Sequence, residues 1–119
     1  MKIQQLLDKI INQPTQVDFN EVIDTITLHY HYSPSRFSNG HKHDLIINQA
    51  GDNQGSCKIF AFAKLNHLNE QQTLHCFGDY YRQEVLLNPE EDDHANIRHF
   101  IRHGWAGIQF EQIPLTDKQ

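Results

Sequence analysis

Ile3, Leu6, Leu7, Ile10 and Ile11 fall at i, i+3, i+4, i+7 and i+8, the apolar stripe of an amphipathic helix over about residues 2–12. Asn12-Gln13-Pro14 ends it, because a proline pushes the residue before it out of the helical region. A second helix, over 19–30, opens on an Asp18-x-x-Glu21 capping box, with Val17 and Val22 placed for a hydrophobic staple. Phe19, Val22, Ile23, Ile26 and Tyr30 mark its apolar face. Ser33-Pro34 then breaks the pattern. Asn39-Gly40 signals a hairpin, since a type I′ turn needs positive φ at both central residues. It predicts short strands at about 35–38 and 41–47, the second without clean alternation at Leu45-Ile46-Ile47.

The stretch Ala50 to Ser56 is a glycine-containing loop, with Ser56 placed to cap the next element. Residues 57–66 (CKIFAFAKLN) alternate as a strand does, but the alanines, the lysines and the immediate run into another helical pattern favour a buried helix. Asn69, with Gln72 at the capping-box position, opens a long helix over 70–87. Leu74, Phe77, Tyr81 and Val85 form its main stripe, and Cys76, Tyr80 and Leu87 widen the apolar arc, as expected of a central helix. The last helix, 94–103, is capped by Asp93 and closed by Gly104. This places Trp105 against Phe100 in a Schellman contact. Ile108-Gln109-Phe110-Glu111 alternates and predicts a strand joining the hairpin. About five helices with a small two- or three-stranded antiparallel sheet make an α+β fold, since helices and strands do not alternate.

The 119 residues are one domain's worth, 1–119. Leu, Ile, Val and Phe make up about 27% of them, enough for a folded core. A chain of this size needs no disulfide or metal to hold together. Its net charge of −5 matches nucleic acid and anionic lipid poorly. No apolar run approaches the roughly 18 residues of a membrane span. No basic n-region precedes an apolar h-region, so Sec export is not expected. Cys57 and Cys76 form no spaced framework and read as reduced cytosolic thiols.

Nine histidines invite a metal-site reading. His99 and His103 stand at i, i+4, a spacing that can chelate. At about 100° per residue, however, they fall on the side away from Ile97 and Ile101, a solvated face. The pairs His29/His31 and His41/His43 have no nearby cysteine to complete a zinc site and read as surface residues. The chain calls for no metal and no cofactor. Cys57, in a predicted first helical turn beside Lys58, is better placed for reactivity than Cys76, which sits on a buried arc. His75 projects toward Asp79 and Arg82 rather than serving Cys76. Glu90, Glu91, Asp92 and Asp93 suit the start of the last helix, and so short a run does not supply a calcium site. Gly51-x-x-x-Gly55-Ser56-x-Lys58 lacks Walker spacing, although a helix N-terminus there still offers amides to an anion.

The segment AGDNQGSCKIFAFAKLNHLNEQQTLHCFGDYYRQEVL, followed by NPEEDDHANIRHFIRHGWAGIQF, resembles the HopJ-type family of small bacterial proteins, as does the earlier YSPSRFSNG. The resemblance spans about residues 19–110. It implies delivery into host cells by a type III apparatus, and it carries no catalytic residues over. Residues 1–32 contain no serine and open on an ordered helix, unlike a flexible secretion signal, so a cytoplasmic placement stands beside the secreted one. Two functions are open to such a chain. One is an interaction module that binds a protein partner, with the five aliphatics of the first helix as the candidate face. The other is a ligand-binding protein or enzyme that uses the 51–57 loop with Ser56, Cys57, Arg82, His94, Arg98 and Trp105, should these converge. A monomer without nucleic-acid or membrane partners is expected in either case.

Overall fold

The computed structural model describes residues 1–118. In chain order the elements are α1 (Ile3–Asn12), α2 (Phe19–His29), β1 (Tyr30–Tyr32), β2 (Phe37–His41), β3 (Asp44–Asn48), α3 (Gln54–Leu65) and α4 (Glu70–His75). A π-helical segment (Tyr80–Val85), α5 (Ala95–His103), β4 (Ile108–Phe110) and β5 (Leu115–Asp117) complete the chain. The fold is α+β. One antiparallel sheet has the order β3-β2-β4, and β1 pairs with β5 in a second. β4 joins the hairpin as its alternation predicts, with Asn39 opposite Ile108. The β1–β5 ribbon has too few residues per strand to show as a period in the sequence.

The core is built around α3. Cys57 and every residue from Ile59 to Ala63 are buried. Phe60 stacks at ring-centroid distances of 5.0 Å on Phe100 and 5.4 Å on Phe77. The ambiguous stretch is thus the buried helix, and it, rather than 70–87, is the central one. α2 keeps its reciprocal capping box, in which the Asp18 amide donates to Glu21 Oε2 at 2.8 Å. Val17 and Val22 are both fully buried beneath it. At the far end, the Gly104 amide donates to the Phe100 carbonyl, and Trp105 meets Phe100 edge-on at 5.1 Å as expected.

Four boundaries differ from the expected ones, each for a local reason. The hairpin exists, but its turn is Lys42-His43 rather than Asn39-Gly40. Asn39 is fully buried and donates to the Asn96 carbonyl at 2.9 Å, so it belongs to the interior and not to a turn. α3 starts at Gln54, and its N-cap is Asn53 rather than Ser56. α5 is capped by His94, not Asp93, whose carboxylate instead takes a hydrogen bond from Arg98 at 2.7 Å. The predicted helix over 70–87 is two pieces, broken by a turn at Cys76–Gly78 where Gly78 takes φ +60°.

Candidate functional site

That break shapes a cavity. With the chain turned at Gly78, Phe77 and Tyr80 face Phe19 at the start of α2, and Tyr80 meets Phe19 edge-on at 5.1 Å. Together with Ile46 of β3 and the first turns of α3 and α5, they line a half-open hollow of about 360 Å³. Asn53, Ser56, His94 and Asn96 supply the polar part of the wall. This is a partly aromatic hollow whose lining is nearly evenly divided between polar and apolar groups, which suits a small molecule with both a polar and an apolar part.

Both helices begin in an unusual way. Their N-caps, Asn53 and His94, are non-glycine residues at φ +52° and +49°. Neither side chain caps its own helix. Asn53 donates to Asn48 Oδ1 at 2.7 Å, and His94 Nε2 lies 2.8 Å from Glu84 Oε1. First-turn residues of both helices, Gly55 and Ser56 of α3 and Ala95 and Asn96 of α5, therefore lie in one cavity wall with the positive ends of two helix dipoles, while the Ile97 amide is already taken by the His94 carbonyl at 3.0 Å. Behind them is a buried amide network. Asn96 Nδ2 donates to Asn48 Oδ1 at 2.9 Å, and its own Oδ1 accepts from Asn48 at 3.1 Å and Asn39 at 3.0 Å. This network ties the start of α5 to the sheet, although Asn39 Oδ1 is buried in it without a partner among the described residues.

Of the six residues singled out from the sequence, the fold brings Ser56 and His94 together in this wall. It puts the other four elsewhere. Cys57 points to the opposite side, its Sγ 4.0 Å from the Ser35 carbonyl, and burial pushes its thiol up. Arg82 is spent on structure: its guanidinium donates to the carbonyls of Pro14, Val17 and His75. Arg98 is largely buried and donates to the carbonyls of Asp93 and Asn88. Trp105 donates to the Leu68 carbonyl at 3.1 Å while its half-buried ring packs against the core. Burial likewise lifts the Cys76 thiol to about 12. Neither cysteine is a thiolate nucleophile near neutrality. His75 lies against Arg82 and Tyr81, away from Cys76 as expected.

The outer face of α5 is not simply solvated. Asp44, at the foot of β3, lies 3.0 Å from His99 Nε2, 2.6 Å from His103 Nε2 and 2.8 Å from Arg102 Nε. The Arg102 and His103 hydrogen bonds hold its carboxyl well below the usual carboxylate range. A helical wheel cannot show this, because the partner arrives from a hairpin more than fifty residues earlier. The aromatic wall of the cavity and the amide network also leave almost no trace in the sequence. The one available signal is Phe37-x-Asn39, an alternation that places Asn39 on the buried face of its strand. Beside the cavity, Glu84, Asp93 and His94 each bring one potential ligand atom within 4.8 Å of the others.

Comparison with known proteins places the whole chain. The family model described as HopJ type III effector protein matches residues 3–115. No curated protein matches. A crystal structure of the unknown-function protein VPA0580 is 47% identical, with a TM-score of 0.94 over 99% of this chain and 95% of that one. Among the described residues no helix is long and apolar enough to cross a membrane. With nearly its full length matched by the family model, the chain belongs to the HopJ family.

Proposed function

We propose that this HopJ-family chain is a binding protein for a small anionic molecule, held in the cavity between the first turns of α3 and α5. One observation carries the reading: two helix N-termini, neither capped by its own side chain, open into the same aromatic-walled hollow. A phosphate or carboxylate group suits the amides and the dipoles. Phe19, Phe77 and Tyr80 suit an apolar or planar body. His94 adds a titratable donor at the rim, where Glu84 already engages it. Arg82, Arg98, Cys57 and Trp105 support the walls or the core and do not contact the ligand.

The test is an amide NMR titration with phenyl phosphate. Shifts concentrated at residues 54–56 and 95–97 are expected, with binding weakened about 3–10-fold by Tyr80→Ala, the worth of one aromatic contact. Absence of shifts at millimolar ligand, or shifts scattered over the surface, excludes the cavity as an anion site.

The family description favours a second reading, delivery through a type III apparatus to act on a host-cell protein. A translocation reporter fused to residues 1–50 tests it. Transfer that depends on a working secretion apparatus supports the effector role; equal signal in a secretion-deficient strain removes it.

A further inference from the structure

Among the acidic residues at the start of α5, Asp93 precedes the His94 cap, and the π-helical segment carries Glu84 toward both. From Glu84 Oε1 to His94 Nε2 is 2.8 Å, and from Asp93 Oδ2 to His94 Nε2 is 3.9 Å. A first-row divalent cation binds such atoms at about 2.0–2.2 Å. Cis ligands around it then stand roughly 3.0–3.4 Å apart, a spacing that the two observed separations from His94 bracket. We propose that Glu84, Asp93 and His94 form a divalent metal site at the mouth of the cavity, taking a borderline cation such as Mn²⁺ or Zn²⁺.

Three features of the surroundings support this beyond the cluster itself. Two carboxylates balance the double charge of the ion, and the imidazole favours a first-row metal over Mg²⁺ or Ca²⁺. Asp93 is oriented from behind: its other oxygen, Oδ1, accepts from the largely buried Arg98 at 2.7 Å. Arg98 is in turn anchored on the Asn88 and Asp93 carbonyls at 2.9 and 2.6 Å, as a positioning residue behind a metal ligand commonly is. The third feature is access. His94 lines the cavity while Glu84 and Asp93 are exposed beside it, so a metal held by these three would keep open positions for water or an incoming ligand. The sequence hides the site because Glu84 stands ten residues from His94 on a stretch whose periodicity predicts a continuous helix, whereas the break at Gly78 redirects that segment.

The metal site does not rest on the anion reading, and one set of measurements separates them. Full-length protein, stripped with chelator, is titrated with Mn²⁺ while the signal of the free aqueous ion is followed by electron paramagnetic resonance. Zn²⁺ is titrated in parallel by calorimetry. The expected result is one equivalent bound, weakened at least about 10-fold by Glu84→Gln and by His94→Asn. Asparagine keeps a residue that tolerates positive φ at the cap. Asp44→Asn, at the other histidine cluster, should leave binding unchanged. In the unaltered chain, bound Mn²⁺ should broaden the resonances of Tyr80 and His94 before those of His99 and His103, a readout that depends on no variant folding. The proposal is overturned by no binding at millimolar metal, by binding lost in Asp44→Asn but kept in His94→Asn, or by broadening centred on His99. Phenyl phosphate binding that persists in chelator while metal binding fails would leave the cavity reading standing alone. Metal binding without phenyl phosphate binding would do the reverse.

Discussion

A chain lacking residues 1–14 is expected to lose cooperative folding altogether. The first helix looks detachable in the sequence, with five aliphatics that a partner protein could meet. In the structure Leu6 and Ile10 are fully buried, Ile3 and Leu7 pack against the same core, and Ile11 alone of the five stays exposed. Each fully buried aliphatic is worth about 1.5–3 kcal/mol. Truncation also removes the ion pair of Lys9 with Glu21 and the Pro14 carbonyl that accepts from Arg82. The combined loss is comparable to the roughly 5–15 kcal/mol that holds a domain of this kind folded. Thermal melts followed by near-ultraviolet circular dichroism check it. A sharp transition near that of the full chain would show that α1 is an accessory, and would restore it as the candidate docking face. A flat melt removes α1 from that role.

Gly78→Ala should be the most damaging single methyl group in the chain for the cavity. Gly78 sits at φ +60°, where an L side chain costs about 1–2 kcal/mol. An added Cβ would also lie 2.7 Å from the backbone nitrogen of Phe19, which opens α2 and has no side-chain freedom to yield. Forcing atoms into packed surroundings typically adds about 1–3 kcal/mol. A destabilisation of roughly 2–5 kcal/mol is therefore expected in a denaturant titration, with the native signals of Phe19, Phe77 and Tyr80 displaced. If the substitution cost less than about 0.5 kcal/mol, as Gly→Ala often does at a compatible helical site, the break in the helix would not be fixed by this residue.

Both cases turn on the difference between local and distant contacts. α1, α2, the capping box at Asp18, the Asn69 cap and the Phe100–Trp105 contact are local. Each depends on residues a few positions apart and on backbone chemistry, so the α+β class and most helices were legible. The Asn39-Gly40 dipeptide announced a hairpin correctly but misplaced its turn, because the buried partner that claims Asn39 lies at Asn96. The unbroken apolar stripe across Leu74, Phe77, Tyr81 and Val85 concealed the turn at Gly78, since the side chains on both sides of the break still face one interior. Ser56 and His94 lie in one cavity wall, whereas Arg82 and Arg98 bind backbone carbonyls elsewhere, and a guanidinium looks alike in sequence whether it awaits a ligand or fastens carbonyls.

What the sequence determined by itself is therefore the α+β class and most of the helices, which rest on periodicity, caps and composition, all short-range properties. The family was legible too, but through the resemblance of whole sequence blocks. The tertiary structure alone decided that two helix starts share a cavity, that Asp44 gathers the α5 histidines, and that Glu84 meets Asp93 and His94. Those juxtapositions are set by how the segments pack, and packing joins residues whose separation along the chain carries no periodic trace.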